Sequence, residues 1–461
     1  MNKYFLLLLF ISIGNCYAQI HKNYEPTKFP DRVILGWQGN ASASSQSVNF
    51  RTDSTITKSV GMIAEAGADP EFVKNAITLN AVTESVIIDR RSVLYHTVHF
   101  DQLKPNTQYA YKVGSGDHWS EWFHFKTASD KNEPFSFLYF GDAQNDLRSL
   151  WSRTIRGAYS KLPSVQFMIH AGDLINNAFY DWQWGEWFEA GGFLNGMVPS
   201  LASPGNHEYG NNPANGKYEI STHWKPTFVH PENGPEKMKE TTYFIDYQGV
   251  RFISLNSQIA FLDSSALDAQ AIWLEELLAK STNQWKVVFH HHPIYSTKSG
   301  RDNEAWRNKM EPIYKKYNID LVLQGHDHTY GRGINMPLGK TRKYPDGPIY
   351  VVSVSGPKMY DIGLQDWMDR AGSNIQLYQI ISLVNNKLSY KSYDVTGQLY
   401  DAFDLTKDTQ GKKTLKDYDS QLPNERLALP IRVQERNTAA QNKEYESRFQ
   451  QYKKRKAATK K

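Results

Sequence analysis

Five polar stretches in the middle of this chain each follow an apolar run. Phe135 to Phe140 ends on Gly141-Asp142, and Val165 to His170 is followed by Gly172-Asp173. Val198 to Ala202 leads into Pro204-Gly205-Asn206-His207-Glu208. Trp285 to Phe289 ends in His290-His291-His292-Pro293, and Ile319 to Leu323 runs into Gly325-His326-Asp327-His328. Short apolar runs bounded by turn residues read as buried strands. Carboxylate, amide and imidazole groups then gather on loops at strand ends, where α/β sheets bind ligands. That mixture of donors suits a two-metal hydrolytic site.

Each stretch has a plainer reading on its own. Gly-Asp is a common turn, Gly-Asn-His can be a loop, and adjacent histidines can be surface residues. The metal reading rests on the joint placement of all five at strand ends in one domain. The glycines at 141, 172, 205 and 325 are expected to let the backbone turn sharply, so that neighbouring ligands point inward.

A chain of 461 residues is long enough for two or three domains. Residues 1–18 read as a secretory signal, with Lys3 as the charged end, Tyr4 to Ile13 as the apolar run and Cys16-Tyr17-Ala18 as the cleavage site. This places the mature protein outside the cell or in a periplasm. Lipid anchoring at Cys16 is the alternative. Cys16 is the only cysteine, so no disulfide is expected. No later segment reads as transmembrane. Of the +5 net charge, six cations lie at Lys453, Lys454, Arg455, Lys456, Lys460 and Lys461, so the body stands at −1. A near-neutral body excludes a broad nucleic-acid surface. The basic end is expected to be a solvated tail.

Residues 22–128 read as an all-β sandwich of seven strands, among them Arg32–Trp37, Ser47–Phe50, Ser85–Ile88 and His96–Phe100. Its Leu103-Lys-Pro-Asn-Thr-Gln-Tyr109 turn resembles fibronectin type III domains. Residues 135–404 alternate strands and helices, which implies a layered α/β sandwich. A Pro-, Gly- and Asn-rich loop runs from Tyr209 to Glu240. Residues 405–461 read as a charged C-terminal extension, wrapping the surface and then forming a flexible or helical tail.

Hydrolysing a phosphoester needs a nucleophilic hydroxide and neutralisation of the phosphate charge, and two metal ions supply both. The ordered set Gly-Asp, Gly-Asp, Gly-Asn-His-Glu, His-x-Pro and Gly-His-x-His resembles the calcineurin-like metallophosphoesterases. The N-terminal module, with His291-His-Pro-Ile-Tyr295 and Gly325-His-Asp-His-Thr-Tyr330, resembles the purple acid phosphatases among them. The resemblance implies a fibronectin type III-like all-β sandwich followed by an α/β metallophosphoesterase sandwich with αββα layers. It implies Asp142 and His328 as ligands of a first metal, Asp173 as the bridge, and Asn206, His291 and His326 as ligands of a second. It gives His207 the role of contacting phosphate and protonating the leaving oxygen. His290 is expected to face the opposite side of its strand.

Three departures stand out. Purple members have Tyr where this chain has Asn176, and Gly where it has Gln144; other metallophosphoesterases have His at the latter position. They also carry a histidine pair where this chain reads Ser299-Gly-Arg-Asp302, so Arg301 or Lys298 is expected to take the phosphate-binding role. Gln144, Asn176 and His292 stand as further ligands or supports of ligands. Because Asn176 supplies no phenolate, two divalent ions (Fe, Mn or Zn) and a colourless protein are expected, with Gln144 or Asn176 near the first metal. Tyr180 is the one nearby phenol that would change this.

The expected function is hydrolysis of phosphomonoesters, on a phosphorylated small molecule, by attack of a metal-bound hydroxide. A phosphodiesterase or nucleotide hydrolase on the same site is one alternative, with the Tyr209–Glu240 loop shaping its pocket. A non-catalytic phosphate- or glycan-binding protein is another, suggested by Gln144 and Asn176. The sequence does not set the oligomeric state.

Overall fold

Phe135–Phe140, Met168–His170 and Ser200–Ala202 form parallel strands in which Phe140, His170 and Ala202 lie level. Val250–Ser254, Trp285–His290, Leu321–Gln324 and Ile349–Val352 form a second parallel set, with His290, Gln324 and Val352 level. The computed structural model describes residues 24–334 and 343–459. The expected signal segment, Cys16, and Lys460 and Lys461 lie outside the described residues.

Each parallel set belongs to a seven-stranded sheet, the first set at one edge of its sheet and the second in the middle. The first continues through Leu377–Val384, Lys387–Asp394, Leu399–Lys407 and Lys413–Asp417; the second is flanked by Tyr243–Tyr247 on one side and by Tyr330–Gly333 and Arg370–Gly372 on the other. Alternation along the strands divides the burial. Phe135, Phe137 and Tyr139 meet Phe252, Val287 and Phe289 between the sheets, whereas Leu138 and Phe140 turn outward onto Trp151, Ile155 and Trp187 of flanking helices. Ile253, Val288 and Val322 turn outward to Leu274, Trp306 and Met310. The layers are therefore helix, sheet, sheet, helix, as the resemblance implies.

The N-terminal module is a sandwich of a four-stranded and a five-stranded sheet closed on Phe50, Val98, Tyr111 and Phe125. It has nine strands, not seven. Val60–Glu65 and Ile77–Asn80 are additional, and Ile77–Asn80 is a sheet-edge strand with little burial, which hides its period from the sequence. In the Leu103–Tyr109 turn, the Tyr109 hydroxyl accepts from the Lys104 amide at 2.9 Å, the local closure used by sandwich tyrosine corners. The module docks on the second domain through charge. Arg32 and Arg51 reach Asp181 at 2.7 and 3.2 Å, and His223 Nε2 lies 3.0 Å from the same carboxylate.

Two expectations for the C-terminal region fail. Residue 404 falls inside the strand Leu399–Lys407, and Lys413–Asp417 adds another strand beyond it. Among the described residues, Lys453, Lys454, Arg455 and Lys456 do not form a free tail. They belong to the helix Ala439–Thr459, which buries Tyr445 and Tyr452 against the second sheet's helical layer. Lys456 is only 14% exposed and lies 3.3 Å from Asp419, and Arg455 donates to the Leu364 carbonyl at 2.7 Å. The aromatic spacing of that helix, not its charge, decides its placement. Among the described residues no helix is long and apolar enough to cross a membrane.

Candidate metal centre and active site

The level strand ends bring the five loops to one point. Donor atoms of Asp173, His291 and His326 lie within 4.8 Å of one another, as do those of Asp142, Asp173 and His328. Asp173 belongs to both groups, which is the position a bridging carboxylate needs. Asn206 Oδ1 lies 3.2 Å from His291 Nε2, on the side of the first group. Asp142 and Asp173 are buried, as are His291 and His328.

Backbone strain sits on the ligand candidates themselves. Asp173, His326 and His328 have φ of +52°, +76° and +49°, a region that residues other than glycine rarely adopt and that concentrates at functional sites. Of the four motif glycines only Gly172 is left-handed, at φ +81°. At Gly325 the reason is crowding: a Cβ there would lie 2.6 Å from Asp142 Oδ2. The glycines thus mostly admit close approach of the loops rather than supply sharp turns.

Hydrogen bonds aim the rings. His291 Nδ1 donates to the Ala171 carbonyl at 2.9 Å, leaving Nε2 to face Asp173 Oδ2 at 3.2 Å. His328 Nδ1 is 3.1 Å from the Lys358 carbonyl, and its Nε2 is 3.7 Å from Asp142 Oδ1. A ring held at one nitrogen by a backbone carbonyl presents the other as a metal ligand. His291 Nε2 and His326 Nδ1 face each other at 3.1 Å. Asp142 accepts the His326 amide at 2.7 Å, and Asp173 accepts the His207 amide at 2.9 Å. Buried Glu208 takes the amides of Gly205, Asp173 and Leu174 at 2.6, 2.9 and 2.8 Å, locking two of the loops together.

The electrostatics are those of two buried carboxylates around one cationic ring, with the burial of Asp173 outweighed by His291 and His207, which hold it below the ordinary carboxylate range. Burial, opposed by His291 and reinforced by Asp173, pushes Asp142 up to about 8. Burial works against protonation of His291, but the Asp173 and Asp142 carboxylates outweigh it and push the ring up to about 9. Burial holds His326 and His328 well below the ordinary imidazole range, so both rings are neutral and able to coordinate. Two buried carboxylates, three neutralisable imidazoles and an amide oxygen are a donor set that divalent ions fit.

His207 stands at the rim. Its Nδ1 donates to the Asn176 carbonyl at 2.6 Å, and its Nε2 points inward, 4.0 Å from Asp173 Oδ2. Arg301 is not a solvated loop residue: Nη1 contacts Asp327 Oδ1 at 2.7 Å and the His326 carbonyl at 2.9 Å. Asp327 in turn accepts the Thr297 amide at 2.6 Å. His292 packs its ring 4.2 Å from that of His326 and spends Nδ1 on Ser257 at 2.9 Å, supporting the cluster from outside. His290 turns away, against Trp306 and Tyr314. Tyr180 is 52% exposed, beside Trp182.

Sequence reasoning missed Lys358 and Tyr360. Lys358 Nζ lies 3.2 Å from Gln144 Oε1, and the Tyr360 ring meets the His328 ring edge-on at 4.6 Å. Their signal was present: Ser353-Val-Ser-Gly-Pro-Lys358 leaves the strand Ile349–Val352 as the five motifs leave theirs. The Tyr209–Glu240 segment is not one long loop. It contains the hairpin Tyr209–Asn211 with Tyr218–Ile220 and a helical turn at Trp224–Thr227.

Residues 135–330 match the calcineurin-like phosphoesterase family, and residues 30–127 match the purple acid phosphatase N-terminal domain. Purple acid phosphatase 21 of Arabidopsis thaliana is 26% identical over 381 residues, covering 78% of this chain and 82% of that protein. Probable purple acid phosphatase 20 of the same plant is 28% identical over 341 residues, covering 71% and 74%. A purple acid phosphatase from yellow lupin (Lupinus luteus) seeds is similar in structure, with a TM-score of 0.68 at 20% identity over 83% of this chain and 75% of that one. This last likeness is one of fold.

Proposed function

This chain is a purple acid phosphatase-like metallophosphoesterase, a phosphatase hydrolase, and from that premise we propose that it is exported and cleaves phosphomonoesters at a dinuclear divalent centre. The observation that carries the reading is the shared position of Asp173 in both donor groups, with His207 Nε2 facing it at 4.0 Å. Asp142 and His328 would hold one ion, and Asn206, His291 and His326 the other. Bound there, two ions supply an acidified water and Lewis-acid neutralisation of phosphate oxygens.

The protein's own groups do the rest. The Nδ1 bond to the Asn176 carbonyl fixes the His207 ring, so a proton carried on Nε2 is aimed into the site. The ring so aimed would pass that proton to the leaving oxygen. Arg301, held by Asp327 through Nη1, lends positive charge to the mouth, where phosphate oxygens must enter.

The test is turnover of an activated aryl phosphate by the metal-loaded protein, beside the corresponding diester. Monoester turnover that disappears on chelation supports the reading. Preference for the diester moves the assignment to a phosphodiesterase. Binding of phosphate without hydrolysis of either ester, under any divalent ion, leaves a binding protein.

A further inference from the structure

A cleft of about 530 Å³ opens beside the first-metal half of the site. One wall is the loop bearing Lys358 and Tyr360, and the other is the short helix Ile431–Arg436 from the C-terminal extension. The two spaces share side chains: Lys358 reaches Gln144 at 3.2 Å, and Tyr360 lies against His328. Tyr360 is also the centre of a ring of cations. Lys298 Nζ, Lys358 Nζ and the Arg301 guanidinium lie 4.7, 5.5 and 5.8 Å from its ring centroid.

Arg432 and Arg436 extend the positive surface along the cleft, and Arg432 is anchored by a 3.0 Å bond to the Pro357 carbonyl. Asp146 and Glu435 are the carboxylates in its lining. Among the described residues none of Lys298, Lys358, Arg432 and Arg436 has a carboxylate within 4.0 Å. Lys298 and Lys358 are half-buried all the same, and cations so placed gain by pairing with an anion. Lys298 is held below the ordinary lysine range, by burial first and then by Arg301. No such collar is needed to bind one phosphate between two metal ions.

We propose that this cleft receives a second phosphoryl group of the substrate, so that the preferred substrates are small molecules bearing two phosphates. The inference rests on the phosphoesterase reading above and narrows it to a substrate class. One phosphate is cleaved at the metal centre, while the other is held by Lys358 on the near side and by Arg432 and Arg436 on the far side. The arginine fork matches phosphate oxygens in pairs, and the open cleft leaves the attraction sensitive to salt.

The test compares kcat/KM for a hexose monophosphate and a hexose bisphosphate in the native protein and in Arg432→Gln/Arg436→Gln. Native protein should favour the bisphosphate by about tenfold, the scale of one charge-assisted contact. The variant should lose that preference while keeping its rate on an aryl phosphate. Equal rates in native protein, or a preference that survives in the variant, overturn the proposal. Absence of turnover on every ester would instead overturn the phosphoesterase reading. Calorimetry with methylenediphosphonate and methylphosphonate then reads the cleft without chemistry. Tighter binding of the diphosphonate that is lost in the variant supports the second-phosphate site, and equal binding overturns it.

Discussion

Gln144 Nε2 donates to Asn176 Oδ1 across 2.7 Å, so the two positions at which the chain departs from purple members of its family form one unit. The remaining amide oxygen, Gln144 Oε1, accepts from Lys358 Nζ at 3.2 Å. Each amide oxygen accepts one hydrogen bond and keeps a second lone pair, so an approach of Gln144 or Asn176 to the first metal, directly or through water, stays a proposal. A neutral amide pair backed by an ammonium stands where purple members place a phenolate. Less negative charge at the first position favours a divalent over a trivalent ion.

Metal-loaded, air-oxidised protein is accordingly expected to be colourless, with two divalent ions per chain by elemental analysis. A visible absorption spectrum checks this. A strong band lost in Tyr180→Phe would mean that the half-exposed Tyr180 swings into the site and that the ion is ferric.

Removing the shared carboxylate should empty the centre. Asp173→Ala should lose bound metal and reduce activity by more than about a hundredfold, the upper effect of losing a mere ligand support. His326→Ala should lose mainly the ion it shares with Asn206 and His291. Metal affinity should also rise with pH. The metal-free His291 is pushed up to about 9, so below that pH an ion must displace its proton, and above it need not. Titration calorimetry at several pH values reads this; an affinity that falls as pH rises towards 9 would contradict it.

The role of His207 separates by leaving group. His207→Ala should lower kcat on an alkyl phosphate by about 10² to 10⁴, the range of general acid catalysis. It should cost much less on an activated aryl phosphate, whose leaving oxygen needs no proton. Equal losses on both esters would mean that the ring binds phosphate without transferring a proton.

Much of this was legible in the residues because both periodicity and chemistry marked the same places. Phe135–Phe140 and Trp285–His290 are mostly apolar, each interrupted near its start by one polar residue, Ser136 or Lys286, so their ends, and hence Asp142 and His291, could be read from the pattern. The supports were harder. Arg301 pairs with Asp327 across 26 positions and Gln144 with Asn176 across 32, and no local spacing encodes such partners. Lys358 follows a strand as the other motifs do, but a lone lysine carries no metal signature. The docking of the helix Ala439–Thr459 was hidden by its basic composition, because Tyr445 and Tyr452, seven positions apart, decide its buried face.

The join between the two domains supplies the last prediction. Among the described residues Asp181 is the one carboxylate paired with Arg32, at 2.7 Å, and it also meets Arg51 at 3.2 Å and His223 at 3.0 Å. Burial alone would raise its pKa, but Arg32, the His223 hydrogen bond and Arg51 hold it well below the ordinary carboxylate range. A group whose folded pKa is depressed stabilises fully above its unfolded value, about 3.9, and that contribution disappears as pH falls through the folded value. Asp181→Asn keeps the shape but leaves the buried Arg32 guanidinium without its charge partner, which costs about 3–5 kcal/mol when such a pair is broken, while Arg51 keeps Asp31 at 2.7 Å. The variant should unfold at lower temperature near neutral pH, and its deficit against native protein should shrink in strong acid, where the native carboxyl is itself protonated. Calorimetric melts across pH check both. A deficit that stays constant into strong acid would show that Asp181 contributes through shape and hydrogen bonding rather than charge.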